Sequence, residues 1–172
     1  SSSYDRTIKI WQSVFPYYCL ANLTGPTDEG YTDYVYSLAI LHNTNIVSGG
    51  YDKTIKIWRS EYPYNCIANL TGHTNSIFAL AILPNSNIVS GSGDYTIKIW
   101  QSVSPYQLIT TLYGHTGSVW SLVILSNSDI FSGSDDSTIK IWQIKGIIQN
   151  ETKISNSIQS IYTSEIQNSQ IT

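Results

Sequence analysis

The pentapeptide TIKIW occurs four times in this chain of 172 residues, at residues 7–11, 54–58, 96–100 and 138–142. The tryptophans that end the four copies are 47, 42 and 42 residues apart. Self-similarity with a period of this length is the signature of one supersecondary unit copied in tandem. The sequence therefore predicts a repeat protein, in which neighbouring units bury their apolar faces against each other.

One complete unit, from Gly72 to Gly114, contains four short runs rich in Ile, Leu, Val, Thr and aromatic residues. Turn-forming segments such as Pro-Asn-Ser-Asn and Gly-Ser-Gly-Asp separate these runs, which indicates strands joined by tight turns. The runs are Ile77–Leu83, Ile88–Ser90, Thr96–Trp100 and Gln107–Tyr113. Four antiparallel strands in about 42 residues are typical of one blade of a β-propeller.

The TIKIW strand is expected to be covered on both faces. One side carries Thr, Lys and Trp and the other carries two Ile, so neither side is wholly polar. Stacked blades would provide the cover. The lysines are expected to lay their stems on apolar surface and to extend their ammonium groups into water; they are Lys9, Lys56, Lys98 and Lys140.

Further residues of the repeat resemble the WD-repeat β-propeller family over nearly the whole chain. Gly72-His73 and Gly114-His115 are similar to the Gly-His dipeptide of the family. An Asp lies six residues before each repeat tryptophan, and a Ser lies four residues before each Asp. The resemblance implies that His, Ser, Asp and Trp form a hydrogen-bonded network within a blade. Two complete networks are expected here: His73, Ser90, Asp94 and Trp100, and His115, Ser132, Asp136 and Trp142.

The chain departs from the family pattern in two places. The residue after the repeat tryptophan, usually Asp in the family, is Gln or Arg in all four copies, which weakens a reading as a substrate receptor of a ubiquitin ligase. The second repeat carries five extra residues, Gly25–Glu29, and has Tyr31 where the family has His. Its loop, Pro26–Asp33, is interpreted as a tolerated surface insertion, with a binding element as the alternative.

The repeats predict an all-β propeller of about four blades, built of four-stranded antiparallel sheets and partial or open. The chain is treated as one domain, 1–172, divided into a partial blade at 1–25, a blade with an insertion at 26–71, a complete blade at 72–113, a blade at 114–150 and a divergent partial blade or tail at 151–172. A fragment of a larger propeller is preferred to an oligomerising arc or a four-bladed ring. Self-association is expected if the arc is open, because both ends would expose apolar faces.

Composition argues against several classes of partner. Only 12% of the residues are charged and the net charge is −3, so we expect no binding to nucleic acid. The apolar runs are far shorter than the roughly 20 residues of a membrane helix, so no membrane partner is expected.

Cys19 and Cys66 occupy equivalent repeat positions, which fits a reducing compartment. We expect a cytoplasmic location, with the nucleus as the alternative.

The sequence contains no catalytic constellation, and no cofactor or metal site is expected. His73 and His115 belong to the repeat pattern, and the remaining His42 stands at a turn position. Cys19 and Cys66 lack a neighbouring thiol or His at metal-ligand spacing. A propeller-borne hydrolase that depends on Asp135 is ranked third among the functions. It ranks last because hydrolysis by a pair of carboxylates requires the two groups to flank a cleft.

The preferred function is a noncatalytic interaction scaffold for a protein or peptide. In the WD-repeat family, partner contacts concentrate at three positions per blade: the start of the first strand, two residues later, and the residue before the network Asp. The positions that match are Tyr34, Tyr36 and Tyr51; Ser76, Phe78 and Gly93; Ser118, Trp120 and Asp135; and Tyr4. Most are aromatic, as in recognition hot spots. The alternative is a purely architectural or sensor segment of a larger protein.

Overall fold

Alternating apolar runs and turn residues produce an all-β chain. The computed structural model describes residues 5–23, 34–144 and 163–165, and all regular secondary structure in these ranges is β-strand. Sheet 1 contains β1 (Ile8–Trp11) and β2 (Cys19–Leu23). Sheet 2 contains β3 (Val35–Ile40), β4 (Ile46–Gly50), β5 (Ile55–Trp58) and β6 (Cys66–Leu70). Sheet 3 contains β7 (Ile77–Ile82), β8 (Ile88–Ser92), β9 (Ile97–Trp100) and β10 (Leu108–Leu112). Sheet 4 contains β11 (Val119–Ile124), β12 (Ile130–Ser134), β13 (Ile139–Trp142) and β14 (Thr163–Glu165).

Each sheet is an antiparallel meander in which every strand pairs with the next along the chain. The first strands of sheets 2, 3 and 4 lie side by side, so the sheets follow one another around a common centre. Within the described residues the sheets do not close into a ring. The predicted all-β fold of four-stranded antiparallel blades in a partial propeller is confirmed.

Three buried clusters hold neighbouring sheets together, one at each joint. Between sheets 2 and 3, Ile55 and Ile57 share a cluster with Trp100. Between sheets 3 and 4, Ile97 shares a cluster with Trp142. Burial of such side chains is the main driving force for stacking the sheets. The expectation that the isoleucine side of the TIKIW strand is covered by a neighbour is confirmed for sheets 2 and 3.

The expectation for the repeat lysines is wrong for three of the four. Lys56, Lys98 and Lys140 are buried. The Lys56 ammonium donates to Asp52 Oδ2 at 3.2 Å, and the Lys98 ammonium donates to Thr111 Oγ1 at 2.9 Å. The third strand has a neighbouring strand on each side within its sheet. Polar groups of the adjacent turn and strand therefore replace water as hydrogen-bond acceptors of the Lys56 and Lys98 ammonium groups.

The outer strand of sheet 4 comes from a distant part of the chain. β14 pairs antiparallel with β13, with Trp142 opposite Thr163 and Lys140 opposite Glu165. Residues 114–150, assigned to this blade from the sequence, therefore supply three of its four strands. Tyr4, the insertion at Gly25–Glu29 and Tyr31 lie outside the described residues.

Candidate interaction face

Five aromatic side chains form a continuous row across sheets 2, 3 and 4; we call Tyr51, Tyr34, Tyr36, Phe78 and Trp120 the aromatic row. The ring centroids are 6.2 Å apart for Tyr51 and Tyr34, 6.4 Å for Tyr34 and Tyr36, and 5.4 Å for Tyr36 and Phe78. Phe78 and Trp120 stack at 3.9 Å with their planes 18° apart. Every ring therefore contacts the next, and contacts of this kind stabilise aromatic pairs beyond the area they bury.

A β-bulge at the start of each first strand positions three members of the row. In sheet 3, Ile77 pairs with Ser92 and Ala79 pairs with Gly91, so Phe78 is the extra residue between two consecutive pairs. Tyr36 and Trp120 occupy the same place in sheets 2 and 4. A bulge bends its strand and redirects a side chain. The sequence prediction missed this feature because no local pattern marks it: Ile130-Phe131 in β12 has the same order of a β-branched and an aromatic residue and pairs with β13 without a bulge.

A repeated backbone hydrogen bond brings the second strand's turn beside the first strand. The amide of Tyr51 donates to the carbonyl of Tyr34 at 2.9 Å. The equivalent bonds are Gly93 N to Ser76 O, at 2.9 Å, and Asp135 N to Ser118 O, at 3.0 Å. Two of the three candidate contact positions of each blade are therefore neighbours in space, although 17 residues separate them in the sequence.

The residues at the candidate contact positions differ in their solvent exposure. Tyr51 and Trp120 are each 51% exposed, and Asp135 is exposed. The structure buries Ser76 and Gly93, so these two positions do not contribute to an interaction face.

Packing of neighbouring side chains explains why Gly93 is covered. A Cβ atom at Gly93 would lie 3.1 Å from the Phe78 ring and 3.0 Å from the side-chain amide of Asn75. Asn75 Nδ2 also donates to the Gly93 carbonyl at 3.0 Å. The small residue thus allows Phe78 to lie against the turn.

A chain of hydrogen bonds crosses sheet 3 from Trp100 to Asp94. Trp100 Nε1 donates to Ser90 Oγ at 2.9 Å, and Ser90 Oγ lies 2.7 Å from His73 Nε2. His73 Nδ1 lies 2.7 Å from Asp94 Oδ2. Because an ionised carboxylate only accepts, His73 Nδ1 is the donor to Asp94, and the Ser90 hydroxyl, which accepts from the indole, also donates to the Lys98 carbonyl at 3.4 Å.

Sheet 4 contains the same chain of bonds. Trp142 Nε1 donates to Ser132 Oγ at 2.8 Å, His115 Nε2 lies 2.7 Å from Ser132 Oγ, and His115 Nδ1 lies 2.6 Å from Asp136 Oδ2. A network in which every buried polar group has a partner makes its surroundings rigid.

Both network aspartates are held in the ionised form. Burial alone would raise the pKa of Asp94, but hydrogen bonds from His73, Thr96 and the Thr74 amide outweigh it and place the pKa well below its ordinary value. Burial would also raise the pKa of Asp136, but hydrogen bonds from Thr138 and His115 outweigh this effect and lower the pKa below its ordinary value. Hydrogen bonds to the charged form of a carboxyl group favour that form.

Sheet 2 uses a different partner for its aspartate. Trp58 Nε1 donates to Ser48 Oγ at 2.7 Å, as in the other sheets. Asp52 Oδ2, however, accepts from the Lys56 ammonium at 3.2 Å. Lys56 thus contacts Oδ2 of its aspartate, the same carboxylate atom that His73 and His115 contact in sheets 3 and 4.

The other candidate groups lie apart from one another. His42 Nδ1 lies 2.8 Å from Ser86 Oγ, which links two turns. In the described residues, no three His, Cys, Asp or Glu side chains come together as a metal site requires. The described part of the chain also contains no helix with the length and apolar character needed to cross a bilayer.

Comparison with known proteins identifies the family. The sequence matches the family model described as WD domain, G-beta repeat, over residues 18–59, 64–101 and 106–143, which is more than half of the chain. The chain belongs to the WD-repeat family. WD-repeat propellers generally mediate protein interactions and act as noncatalytic scaffolds.

Solved WD-repeat structures are similar to this chain in fold and moderately similar in sequence. The structure of U3-55K is 26% identical with a TM-score of 0.76, and the match covers 84% of this chain and 44% of that chain. The WD40 beta propeller domain of Doa1 is 28% identical with a TM-score of 0.74, over 84% and 46%. The RRP9 WD40 repeats are 26% identical with a TM-score of 0.75, over 84% and 44%.

The chain therefore spans less than half the length of these solved structures. Among curated protein sequences there is no significant match.

Proposed function

We propose that this WD-repeat chain is a noncatalytic interaction module whose aromatic row binds a peptide or protein segment. The observation that carries the proposal is the continuity of the row: five rings from three sheets are in contact, with centroid separations of 3.9 to 6.4 Å. Aromatic side chains clustered in this way dominate the binding energy of many protein interfaces.

Rigidity of the row favours recognition. The bulges fix the backbone at Tyr36, Phe78 and Trp120, and the stack between Phe78 and Trp120 restricts both rings. Side chains that are ordered before binding lose less conformational entropy when a partner arrives. A peptide that lies along the row would therefore bind more tightly than it would to five separate exposed rings.

Charge at one end of the row suggests how the partner is oriented. Asp135 is exposed, and its amide bonds to the carbonyl of Ser118, two residues before Trp120. A carboxylate at this end would pair with an Arg or Lys of the partner in a charge-assisted hydrogen bond. The net charge of −3 acts in the same direction.

The experiment selects binding peptides from a displayed library and measures their affinity for substituted chains. Tyr36→Ala, Phe78→Ala and Trp120→Ala should each weaken binding about tenfold or more, since hot-spot truncations cost about 2 kcal/mol or more. The control variants are Tyr62→Ala and Tyr113→Ala, which remove rings that are more exposed and lie outside the row. Binding that survives removal of all three row residues together would reject this face.

A further inference from the structure

A polar cavity lies at one edge of sheet 2, between two of its turns. It has a volume of about 190 Å³ and is lined by residues 43–45, in the turn between β3 and β4, and by residues 59–62, in the turn between β5 and β6. In an antiparallel meander these two turns lie at the same edge, and the turn between β4 and β5, which carries Tyr51, lies at the opposite edge. The cavity is therefore separate from the aromatic row.

Hydrogen bonds fix the two turns that form the cavity. In the first turn, the amide of Thr44 donates to the carbonyl of Leu41 at 2.8 Å. In the second turn, the amide of Arg59 donates to the carbonyl of Asn65 at 3.0 Å. The hydroxyl oxygens of Thr44 and Ser60 lie 2.8 Å apart and join one turn to the other. The walls are thus formed before a ligand arrives, which lowers the entropy cost of binding.

The charged residues of the cavity belong to this copy of the repeat. The segment that follows TIKIW is QSVFPYYCLANL at residues 12–23, RSEYPYNCIANL at residues 59–70 and QSVSPYQLITTL at residues 101–112. Arg59 and Glu61 therefore stand where the other two segments have Gln and Val. Both side chains are exposed. Neither of them takes part in the ion pairs found among the described residues.

The chemistry of the lining matches a neutral ligand that carries several hydroxyl groups. Arg59 and Glu61 have opposite charges, so neither an anion nor a cation gains a net attraction. The guanidinium only donates, the carboxylate only accepts, and the side chains of Asn43 and Asn45 do both. A hydroxyl group also donates and accepts, so a polyol can pair with every one of these groups. An apolar ligand would leave them without partners.

Tyr62 adds an aromatic ring to this polar lining. The side chain is 87% exposed, and its ring contacts the ring of Tyr64 edge to face, with centroids 6.4 Å apart and planes 89° apart. Tyr64 packs against the buried cluster between sheets 1 and 2. The Tyr62 ring is thus held in place beside the cavity. The apolar face of such a ring can cover the C–H groups of a sugar ring while the phenol hydroxyl stays in water.

We propose that the cavity binds a neutral saccharide, with one hexose in the cavity and its ring against Tyr62. A volume of 190 Å³ is the space of about six water molecules at about 30 Å³ each, and a hexose displaces about that volume of water. The planar guanidinium of Arg59 donates to two neighbouring hydroxyl oxygens, and Glu61 accepts from a third hydroxyl group. The hexose is either a free sugar or a residue of a glycan, since both present the same groups.

The first test is saturation-transfer NMR on the full chain with glucose, galactose and mannose at millimolar concentration, each also as its methyl glycoside. At least one sugar should receive saturation from the protein and should shift the amide resonances of residues 43–45 and 59–62. Binding of a methyl glycoside would indicate a hexose of a glycan, and binding of the free sugar alone would indicate a free sugar. Both results support a saccharide site.

The second test measures the affinity of the same sugar for three variants. Arg59→Gln introduces the residue of the other copies, so the fold should persist, and binding should weaken about tenfold or more because hydrogen bonds to a charged group are lost. Tyr62→Ala should weaken binding severalfold. The matched control is Phe15→Ala, which removes a ring that is 85% exposed at the same repeat position, beside Gln12 and Val14. It should leave the affinity unchanged.

Three results would overturn the proposal. They are the absence of saturation transfer to every sugar, resonance shifts that occur only outside the two turns, and an Arg59→Gln variant that binds as the parent does. Shifts of the same amides by inorganic phosphate and by none of the sugars would assign the cavity to an anion instead. Peptide binding to the aromatic row is measured separately on the same variants and should not change, so either proposal can fail without the other.

Discussion

At the scale of single residues, two adjacent carboxylates in this chain have different surroundings. Asp136 accepts hydrogen bonds from His115, Thr138 and the Thr116 amide. Asp135 is exposed, and its amide bonds to the carbonyl of Ser118, two residues before Trp120 at the end of the aromatic row. Sequence analysis assigned the first to the blade network and the second to the partner face. Only the structure shows that His115 reaches Asp136 through Nδ1, at 2.6 Å, and Ser132 through Nε2, at 2.7 Å.

The contrast between these two carboxylates gives the first prediction for stability. Asp136→Ala should lower the free energy of unfolding by about 1–3 kcal/mol, because His115 and Thr138 lose their acceptor in a buried site. Asp135→Ala should change it by no more than about 0.5 kcal/mol, as is usual for an exposed residue. Chemical denaturation of both variants measures the difference. Equal midpoints for Asp136→Ala and the parent would contradict the network role, as would an unchanged melt of Asp94→Ala.

At the scale of the element, glycine in the second strand decides how closely sheets approach. Gly91 and Gly133 occupy equivalent positions in β8 and β12, with the same preceding serine. A Cβ atom at Gly91 would lie 2.7 Å from Val119 Cγ1 and 3.3 Å from the Val119 carbonyl oxygen. At Gly133 the near contact is a serine hydroxyl, which can rotate away.

Alanine at the two glycines should therefore have unequal effects. Gly91→Ala should lower the free energy of unfolding by about 1–3 kcal/mol, the usual range for overpacking a core. Gly133→Ala should stay within about 0.5 kcal/mol of the parent, since no sheet within the described residues lies over it. Urea denaturation of the two variants under identical conditions is the measurement. Equal losses would show that the close approach between sheets 3 and 4 is not what excludes a side chain at Gly91.

At the scale of the whole molecule, the sheets are unequally covered. Sheet 3 has a neighbour on each face, whereas sheet 4 exposes Ile139 and sheet 1 exposes Trp11. In repeat architectures, stability depends on the contacts between neighbouring units. Local opening should accordingly be easiest at the ends of the arc.

The four TIKIW copies provide an internal control for this gradient. Their identical sequences give the same intrinsic exchange chemistry, so differences in amide exchange report structure alone. Hydrogen–deuterium exchange should be slowest in β9, faster in β13 and fastest in β1. Equal protection of β1 and β9 would contradict the gradient.

The repeat and the strand content follow from the sequence alone because both depend on local pattern, and the network residues were identified through the resemblance of the repeats to the WD-repeat family. Turn residues and alternating apolar runs specify strands wherever they occur, and the TIKIW copies locate the third strands. The burial of the TIKIW isoleucines followed from the pattern in sheets 2 and 3 only, because Ile139 of sheet 4 is 56% exposed.

Tertiary structure alone decided which of the mapped positions share a surface. Phe78 joins the aromatic row because a bulge redirects it and because Gly93 admits its ring. Lys56 is buried because Asp52, Thr54 and Asn69 converge on its ammonium. Identical pentapeptides end in tryptophans that are 1–2% exposed inside the arc and 50% exposed at Trp11, because burial depends on which sheet lies next to a strand. That neighbour is set by how the sheets stack, which no local pattern encodes.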